Sequence, residues 1–280
     1  MTEDALKAAV LGVIQGLTEF LPVSSTGHLV LAEKAMGVSQ DRYGLSFDAS
    51  LHLGTLLALL VFFGMTWVRL FFGGLRTMRE RSFRDPEGRL GWLIVLGTIP
   101  AGVAGVLLES TIEDAFRAPL LVATMLIAFS VVFVIAEARG RQRRDTSQLG
   151  WADALIIGVA QAVALVPGVS RSGATICAGL LRDVERREAA TFAFLLSAPV
   201  IAGAGLKQLV AVVRDFADGT YHGEDFVFFS TGFACSAIVG WFSIRFLLAY
   251  LTTNSLRAFV IYRVGLGVAV IAMVIVQTLA

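Results

Sequence analysis

The sequence predicts an all-α polytopic membrane protein: six transmembrane helices plus two re-entrant helix–loop–helix hairpins, arranged as an inverted-topology repeat. Three observations lead there. Hydrophobic residues make up 56% of the 280 positions and charged residues only 16%, against about 25% charged in soluble domains. The mean hydropathy is +0.75. The apolar residues gather into long segments separated by short charged stretches. Finally, two apolar regions are interrupted at their centres by proline, glycine and hydroxyl residues, and they resemble each other. This composition excludes a soluble globular enzyme and a disordered chain. A net charge of +1 gives no field to track nucleic-acid phosphates, so no nucleic-acid partner is expected. Cys177 and Cys235 lie in apolar runs without metal-ligand spacing and read as buried thiols. The N-terminal MTEDALKAAV carries acids where a signal peptide has positive charge, so no cleaved signal is expected.

Taken in chain order, the first element is a hairpin over 5–36. Residues 5–21 form one arm, PVSSTGH (22–28) interrupts, and 29–36 form the second arm. Three spans follow, at about 46–72, 90–108 and 119–137. Each reaches the roughly 20 apolar residues that cross about 30 Å of hydrocarbon. A second hairpin covers 151–181, with PGVSRSG (167–173) between arms 151–166 and 174–181. Three more spans close the chain, at 189–213, 227–251 and 258–280. Irregular backbone at membrane depth survives only where protein or a wet cavity surrounds it, which is why both interruptions read as re-entrant loops.

The hairpins match at an offset of 146 positions. Gly12, Val13 and Gln15 correspond to Gly158, Val159 and Gln161, and Ser24, Thr26 and Gly27 to Ser170, Ser172 and Gly173. Three spans separate the copies, an odd number, so the second copy lies upside down in the membrane, as in transporters with broken helices. The chain then forms one integral membrane domain over 1–280, with repeat 1 at about 1–137 and repeat 2 at about 151–280. Loops 73–91, 138–150, 181–188 and 252–257 share one side and hold 13 basic residues, against five on the other: Lys7, Lys34, Arg42, Arg117 and Arg214. Glu109, Glu113, Asp114 and Asp215 fall on the arginine-poor side. The excess of Lys and Arg places the first set in the cytoplasm and the mouth of the first hairpin outside.

Few charges remain inside the apolar segments. Arg69, Glu137 and Asp153 stand near segment ends and read as snorkelling or capping groups. Glu19 and Arg171 are different, because each lies in or beside a central polar loop. A charge at that depth costs ~2.5–3.5 kcal/mol on insertion scales, and opposite charges on two converging loops offset each other. Around them stand Ser24, Ser25, Thr26, His28, Ser170 and Ser172, with Gly27 and Gly173 allowing close backbone approach. Helix N-termini following such loops present N–H groups to an anion, and Arg171 adds a planar fork of donors suited to phosphate. One hydroxyl could serve as nucleophile beside a base, for which Glu19 and His28 are candidates. Gln15 shares a helix face with Glu19, four positions away. Asp48 and His52 repeat that spacing and could hold the site or a cation. Arg263 is a candidate supporting partner.

Two of these motifs carry a family resemblance. QGLTEFLPVSSTGHL (15–29) and PGVSRSGAT (167–175) closely resemble the two signatures of the bacitracin-resistance type of undecaprenyl-diphosphate phosphatase, and FDASLHLGTLLA (47–58) and IYR (261–263) extend the likeness along the chain. The resemblance implies hydrolysis of a polyprenyl diphosphate lipid to the monophosphate carrier and phosphate, in cell-wall recycling, by a multi-pass protein of the bacterial plasma membrane. It implies Glu19 as the acidic catalytic residue, Ser25 as nucleophile, His28 as the motif histidine and Arg171 as the phosphate-binding arginine. The surrounding hydroxyl and glycine residues then form the phosphate cradle. The family's divalent cation, Mg²⁺ or Ca²⁺, would fall to Glu19, with no organic cofactor. Position 15 is often glutamate in that family and is Gln15 here, which weakens a two-carboxylate metal site. Whether Ser25 or water attacks stays open, as does pairing into a homodimer. The alternative from another class is an inverted-repeat lipid or solute transporter, with flippase activity as an addition.

Overall fold

The computed structural model describes residues 3–38, 43–108 and 119–279. Among these are eleven α-helices: α1 (Glu3–Phe20), α2 (Ser25–Met36), α3 (Gly44–Phe62), α4 (Gly64–Glu80), α5 (Pro86–Leu107), α6 (Pro119–Arg139), α7 (Trp151–Val163), α8 (Arg171–Leu181), α9 (Arg186–Ala217), α10 (Gly223–Tyr250) and α11 (Arg257–Leu279). Five of them, α5, α6, α9, α10 and α11, are long and apolar enough to cross a membrane, so the chain is a multi-pass membrane protein.

The segment 46–72 departs from expectation. It is not one straight span but α3 and α4, bent by 77° at Phe63; counting that pair as one gives six spans. The cause lies in α4. It carries Arg69, Arg76 and Arg79 along with exposed Met65 and Phe72, so it is amphipathic, whereas α3 is mostly apolar, with Asp48 and His52 its charged or titratable side chains. It leans on α5 through Gly73, where a Cβ would stand 2.6 Å from the Gly88 nitrogen. A hydropathy window registers how apolar a segment is, not the direction it takes.

Both broken regions also restart earlier than their polar stretches suggest. The second arms begin at Ser25 and Arg171, so the hydroxyl-rich residues form the first helical turns rather than loops. Each first arm interlocks with a span from the other half of the chain. Gly16 of α1 sits against α10, where a Cβ would come within 2.8 Å of the Gly240 nitrogen, and Gly158 of α7 sits directly on the Gly97 backbone of α5. Small residues permit such close backbone approach between membrane helices. At the centre runs α9, the most buried of the spans, with Phe194 edge-on to Phe20 at 5.3 Å.

Arginine-rich loops are tied together at one end of the bundle. Arg89 donates to the Leu149 carbonyl. Arg144 and Arg182 both engage Asp153, at 2.6 Å each. Glu137 takes a two-pronged contact from Arg186 and accepts the Leu256 N–H at 2.8 Å. Glu137 thus ties the first half to loops of the second, while Asp153 caps α7 as expected, accepting the Gly150 N–H at 2.9 Å, and pairs with two arginines besides. Arg69 reaches only a loose 3.9 Å contact with Glu87. At the opposite end Tyr43 donates to Asp225 at 3.0 Å and Gln208 to Ser46 at 3.0 Å. Arg42, Glu109, Glu113, Asp114 and Arg117 of the charge count lie outside the described residues.

Candidate active site

Each second arm starts from the same unusual backbone. Ser24 has φ 74° and ψ 96°, and Ser170, 146 positions later, has φ 76° and ψ 115°. A non-glycine residue held at positive φ costs about 1–3 kcal/mol and persists only when its surroundings impose it. Here the turn ends the first arm and opens the next helix. The two N-termini differ in one respect. Ser170 Oγ accepts the Gly173 N–H at 3.3 Å and so caps its helix, whereas Ser24 makes no capping bond. The first turn of α2 therefore keeps its orphan N–H groups for another acceptor, the local requirement for binding an anion.

The loops meet at Glu19, the last turn of α1, whose side chain is 6% exposed. Ser25 donates its hydroxyl to Glu19 Oε2 at 2.7 Å, and Gln15 donates its amide to the same oxygen at 3.1 Å. Arg171 brings Nη1 to 3.4 Å from Glu19 Oε1 across the gap between hairpins. This nitrogen makes no hydrogen bond of its own, leaving a buried donor free for a further acceptor. Ser172 bridges back from the second loop to the Leu21 carbonyl at 3.2 Å and to Ser170 at 3.2 Å. Between the loops opens a cavity of about 170 Å³, lined by Glu19, Ser24, Ser25, Thr26, Ser170 and Arg171, with His52 and the 164–168 segment completing it. An acidic group, a hydroxyl bonded to it and a guanidinium with a spare donor face one small space. That set can align and neutralise a phosphoryl group while a proton leaves the hydroxyl.

Other residues singled out in the sequence take positions around this space. Gly27 and Gly173 lie against α6, where added Cβ atoms would meet Val122 and Phe133, and the Gly173 N–H is already used by Ser170. Their smallness lets α6 approach both loops. His28 is outside the lining: Nδ1 lies 2.8 Å from the Ser24 carbonyl and Nε2 2.6 Å from the Tyr262 hydroxyl. His52, weighed in the sequence only beside Asp48, lies in the lining instead. Its Nδ1 lies 2.8 Å from the Asp48 carbonyl, which leaves Nε2 facing Glu19 Oε2 at 3.5 Å. The i, i+4 spacing of Asp48 and His52 was the signal for it. The Asp48 carboxyl turns away, toward Glu33.

Arg263 is fully buried on α11 and touches no carboxylate within salt-bridge distance among the described residues. It donates to the Gly168 carbonyl at 3.0 Å, the Pro22 carbonyl at 3.4 Å and Ser130 at 3.3 Å, and lies 4.8 Å from the Phe133 ring centre. One buried cation thus binds a backbone carbonyl from each loop, satisfying polar groups that the membrane interior cannot solvate.

Fold and site together give a multi-pass membrane protein in which an acidic group, a hydroxyl and a guanidinium share one cavity. The chain belongs to the family described as bacitracin resistance protein BacA, which matches residues 8–269. A relative from Rubrobacter xylanophilus, named undecaprenyl-diphosphatase, is 48% identical over 273 residues, covering 97% of this chain and 99% of its own. Relatives of the same name from Desulforudis audaxviator and Mycolicibacterium smegmatis are each 43% identical, over 274 and 268 residues, covering 98% and 96% of this chain and 99% and 96% of theirs. A hydrolase name on relatives of this coverage does not favour the transporter alternative.

Proposed function

We propose that the chain is an undecaprenyl-diphosphate phosphatase. It releases the terminal phosphate of the lipid diphosphate and returns undecaprenyl phosphate for cell-wall synthesis, an activity that confers bacitracin resistance. The observation that carries this reading is the meeting of Glu19, Ser25 and Arg171 from two loops around one cavity.

The prenyl tail lies in lipid and the diphosphate enters the cavity. Arg171 and the uncapped N–H groups of α2 hold the terminal phosphoryl. Ser25 Oγ attacks phosphorus as its proton passes to Glu19. The bond from phosphorus to the bridging oxygen breaks, and undecaprenyl phosphate departs with that electron pair and the proton from Glu19. Water then splits the phosphoserine, giving one proton to Glu19, which restores the Ser25 hydroxyl. Attack by water oriented on Ser25 uses the same groups in a single step. Most of the rate comes from alignment and charge neutralisation.

The residues present would hold a divalent cation through few protein ligands and not a protein cage. No group of three His, Cys, Asp or Glu side chains converges among the described residues. Gln15 Oε1, however, is a buried acceptor without a partner beside Glu19. Glu19 and Gln15 would hold the ion with diphosphate oxygens, where it would neutralise developing charge. The cavity is built within one chain, so pairing of two copies plays no part in this reading.

Purified protein in detergent has no two sides, so release of phosphate from undecaprenyl diphosphate there reports hydrolysis and not transport. Steady release is expected. Its absence under conditions where the protein stays folded would overturn the assignment.

The repeats 1–137 and 151–280 are read as inverted copies with the cavity open to the outside, the periplasmic side in a cell with two membranes. The shared backbone of Ser24 and Ser170 and the gathering of arginine-rich loops at one end support this. In a background lacking Cys177 and Cys235, Thr220→Cys should react with an impermeant thiol reagent on intact cells. Ser147→Cys should react only once the membrane is opened. The reverse pattern would invert the orientation, and labelling of both from outside would break it.

A further inference from the structure

The reaction above leaves Tyr262 without a role. It stands on α11 with 48% of its surface exposed, and its hydroxyl is 2.6 Å from His28 Nε2. The two ring planes are nearly parallel, at 6°. On the far side of the imidazole, Nδ1 is 2.8 Å from the Ser24 carbonyl. A carbonyl oxygen only accepts, so Nδ1 carries the ring proton, and in the neutral ring Nε2 accepts the Tyr262 hydroxyl. Both ring nitrogens are then committed, and the ring stands outside the cavity lining. His28 is placed as a strut rather than as a carrier of the reacting proton.

What the strut holds matters. Ser24 is the strained turn at φ 74°, and its carbonyl belongs to the peptide that joins it to Ser25. Rotation of that peptide would swing the Ser25 N–H and redirect the Ser25 hydroxyl away from Glu19. The neighbouring residue on α11 fixes the start of the same turn, because Arg263 donates to the Pro22 carbonyl. Consecutive side chains of one helix thus grip the loop at Pro22 and, through His28, at Ser24.

We propose that Tyr262 is a positioning residue of the active site, acting through His28 to lock the Ser24–Ser25 peptide in the orientation that presents the nucleophilic hydroxyl. The inference rests on the phosphatase reading above. It predicts a defect in turnover rather than in substrate binding, since the phosphate-holding Arg171 is untouched.

Arg263→Ala would leave two buried carbonyls unsatisfied and is a poor probe, because it can fail to fold. Tyr262→Phe removes one half-exposed hydroxyl and keeps the ring. The test is a double-mutant cycle on the purified full chain, with undecaprenyl diphosphate as substrate: wild type, Tyr262→Phe, His28→Ala and the double variant. Tyr250→Phe, remote from both loops, serves as control and should match the wild type. Tyr262→Phe should lower kcat roughly tenfold, about 1.4 kcal/mol of barrier, with KM within about twofold and the melting temperature unchanged. In the His28→Ala background the same substitution should change kcat by less than about twofold, as for two residues acting through one contact. A wild-type kcat in Tyr262→Phe overturns the proposal, as do losses that multiply independently of His28 or that follow a lowered melting temperature. A wild-type protein that releases no phosphate overturns the phosphatase reading and this inference with it, a result distinct from an active wild type with an additive cycle.

Discussion

The two hairpins share a backbone and divide the chemistry. Positions 25 and 171 are equivalent, each following a serine at positive φ and each opening a helix. One carries a hydroxyl and the other a guanidinium. The first hairpin keeps Glu19 where the second has Leu165, and His28 where the second has Ala174. Gln15 binds Glu19, whereas its counterpart Gln161 is buried with neither amide atom bonded. The hairpins are held differently: Ser170 caps the second, Ser172 ties it to Leu21 and Arg263 holds Gly168, whereas the loop of the first is held through its carbonyls, Pro22 by Arg263 and Ser24 by His28. One strained turn, used twice, delivers a reactive group from one face and a rigid counter-charge from the other. A reaction that separates charge at membrane depth needs both, and neither loop offers both alone.

The largest effects should come from the paired positions. Arg171→Lys keeps the charge facing Glu19 and so avoids leaving a buried carboxylate uncompensated, which would cost about 3–5 kcal/mol of stability. It loses the fork, since a point ammonium cannot donate in the same plane. The variant should fold, pair with Glu19, and lose roughly 10²–10³-fold in kcat, the range for removing one donor at developing charge. Ser25→Ala should lose at least as much if its oxygen attacks phosphorus. Retention of more than about a tenth of the rate, ~1.4 kcal/mol of barrier, would make water the attacker and Ser25 its guide. Near-normal turnover in Arg171→Lys would remove the second hairpin from the chemistry and break the division of labour.

Much of this was legible in the residues, for identifiable reasons. Membrane helices follow from runs of apolar residues, and five spans lie within a few positions of where hydropathy places them. Glu19 and Arg171 stood out because charges at that depth are costly enough to require a reason. Three features were not legible. The bend at Phe63 depends on how Gly73 nests on Gly88, a contact between helices that no window along the chain records. The exchange of His28 for His52 at the cavity wall depends on ring orientation: both histidines send Nδ1 to a carbonyl four residues back, and only the surrounding helices decide where Nε2 points. The glycines at 27 and 173 read as phosphate-facing because they sit in the motifs, whereas α6 occupies the space beside them.

The smallest expected effect separates the two strained serines. Replacement by glycine relieves about 1–3 kcal/mol of backbone strain at either position. Against this, the unfolded chain gains freedom worth about 0.4–1 kcal/mol. At Ser24 little else is lost to stability, because its side chain does not cap α2. Ser24→Gly should therefore raise the melting temperature in detergent, by a net stabilisation of order 1 kcal/mol. At Ser170 the same change also removes the cap on Gly173 and the contact with Ser172, at 3.3 and 3.2 Å. A hydrogen bond of that kind is worth about 1 kcal/mol net, so Ser170→Gly should leave the melting temperature close to wild type. Equal shifts in both variants would show that the hairpins are braced alike. A fall at Ser24 would show that its hydroxyl holds the turn after all, and the uncapped N-terminus of α2 could no longer be the open half of the phosphate site.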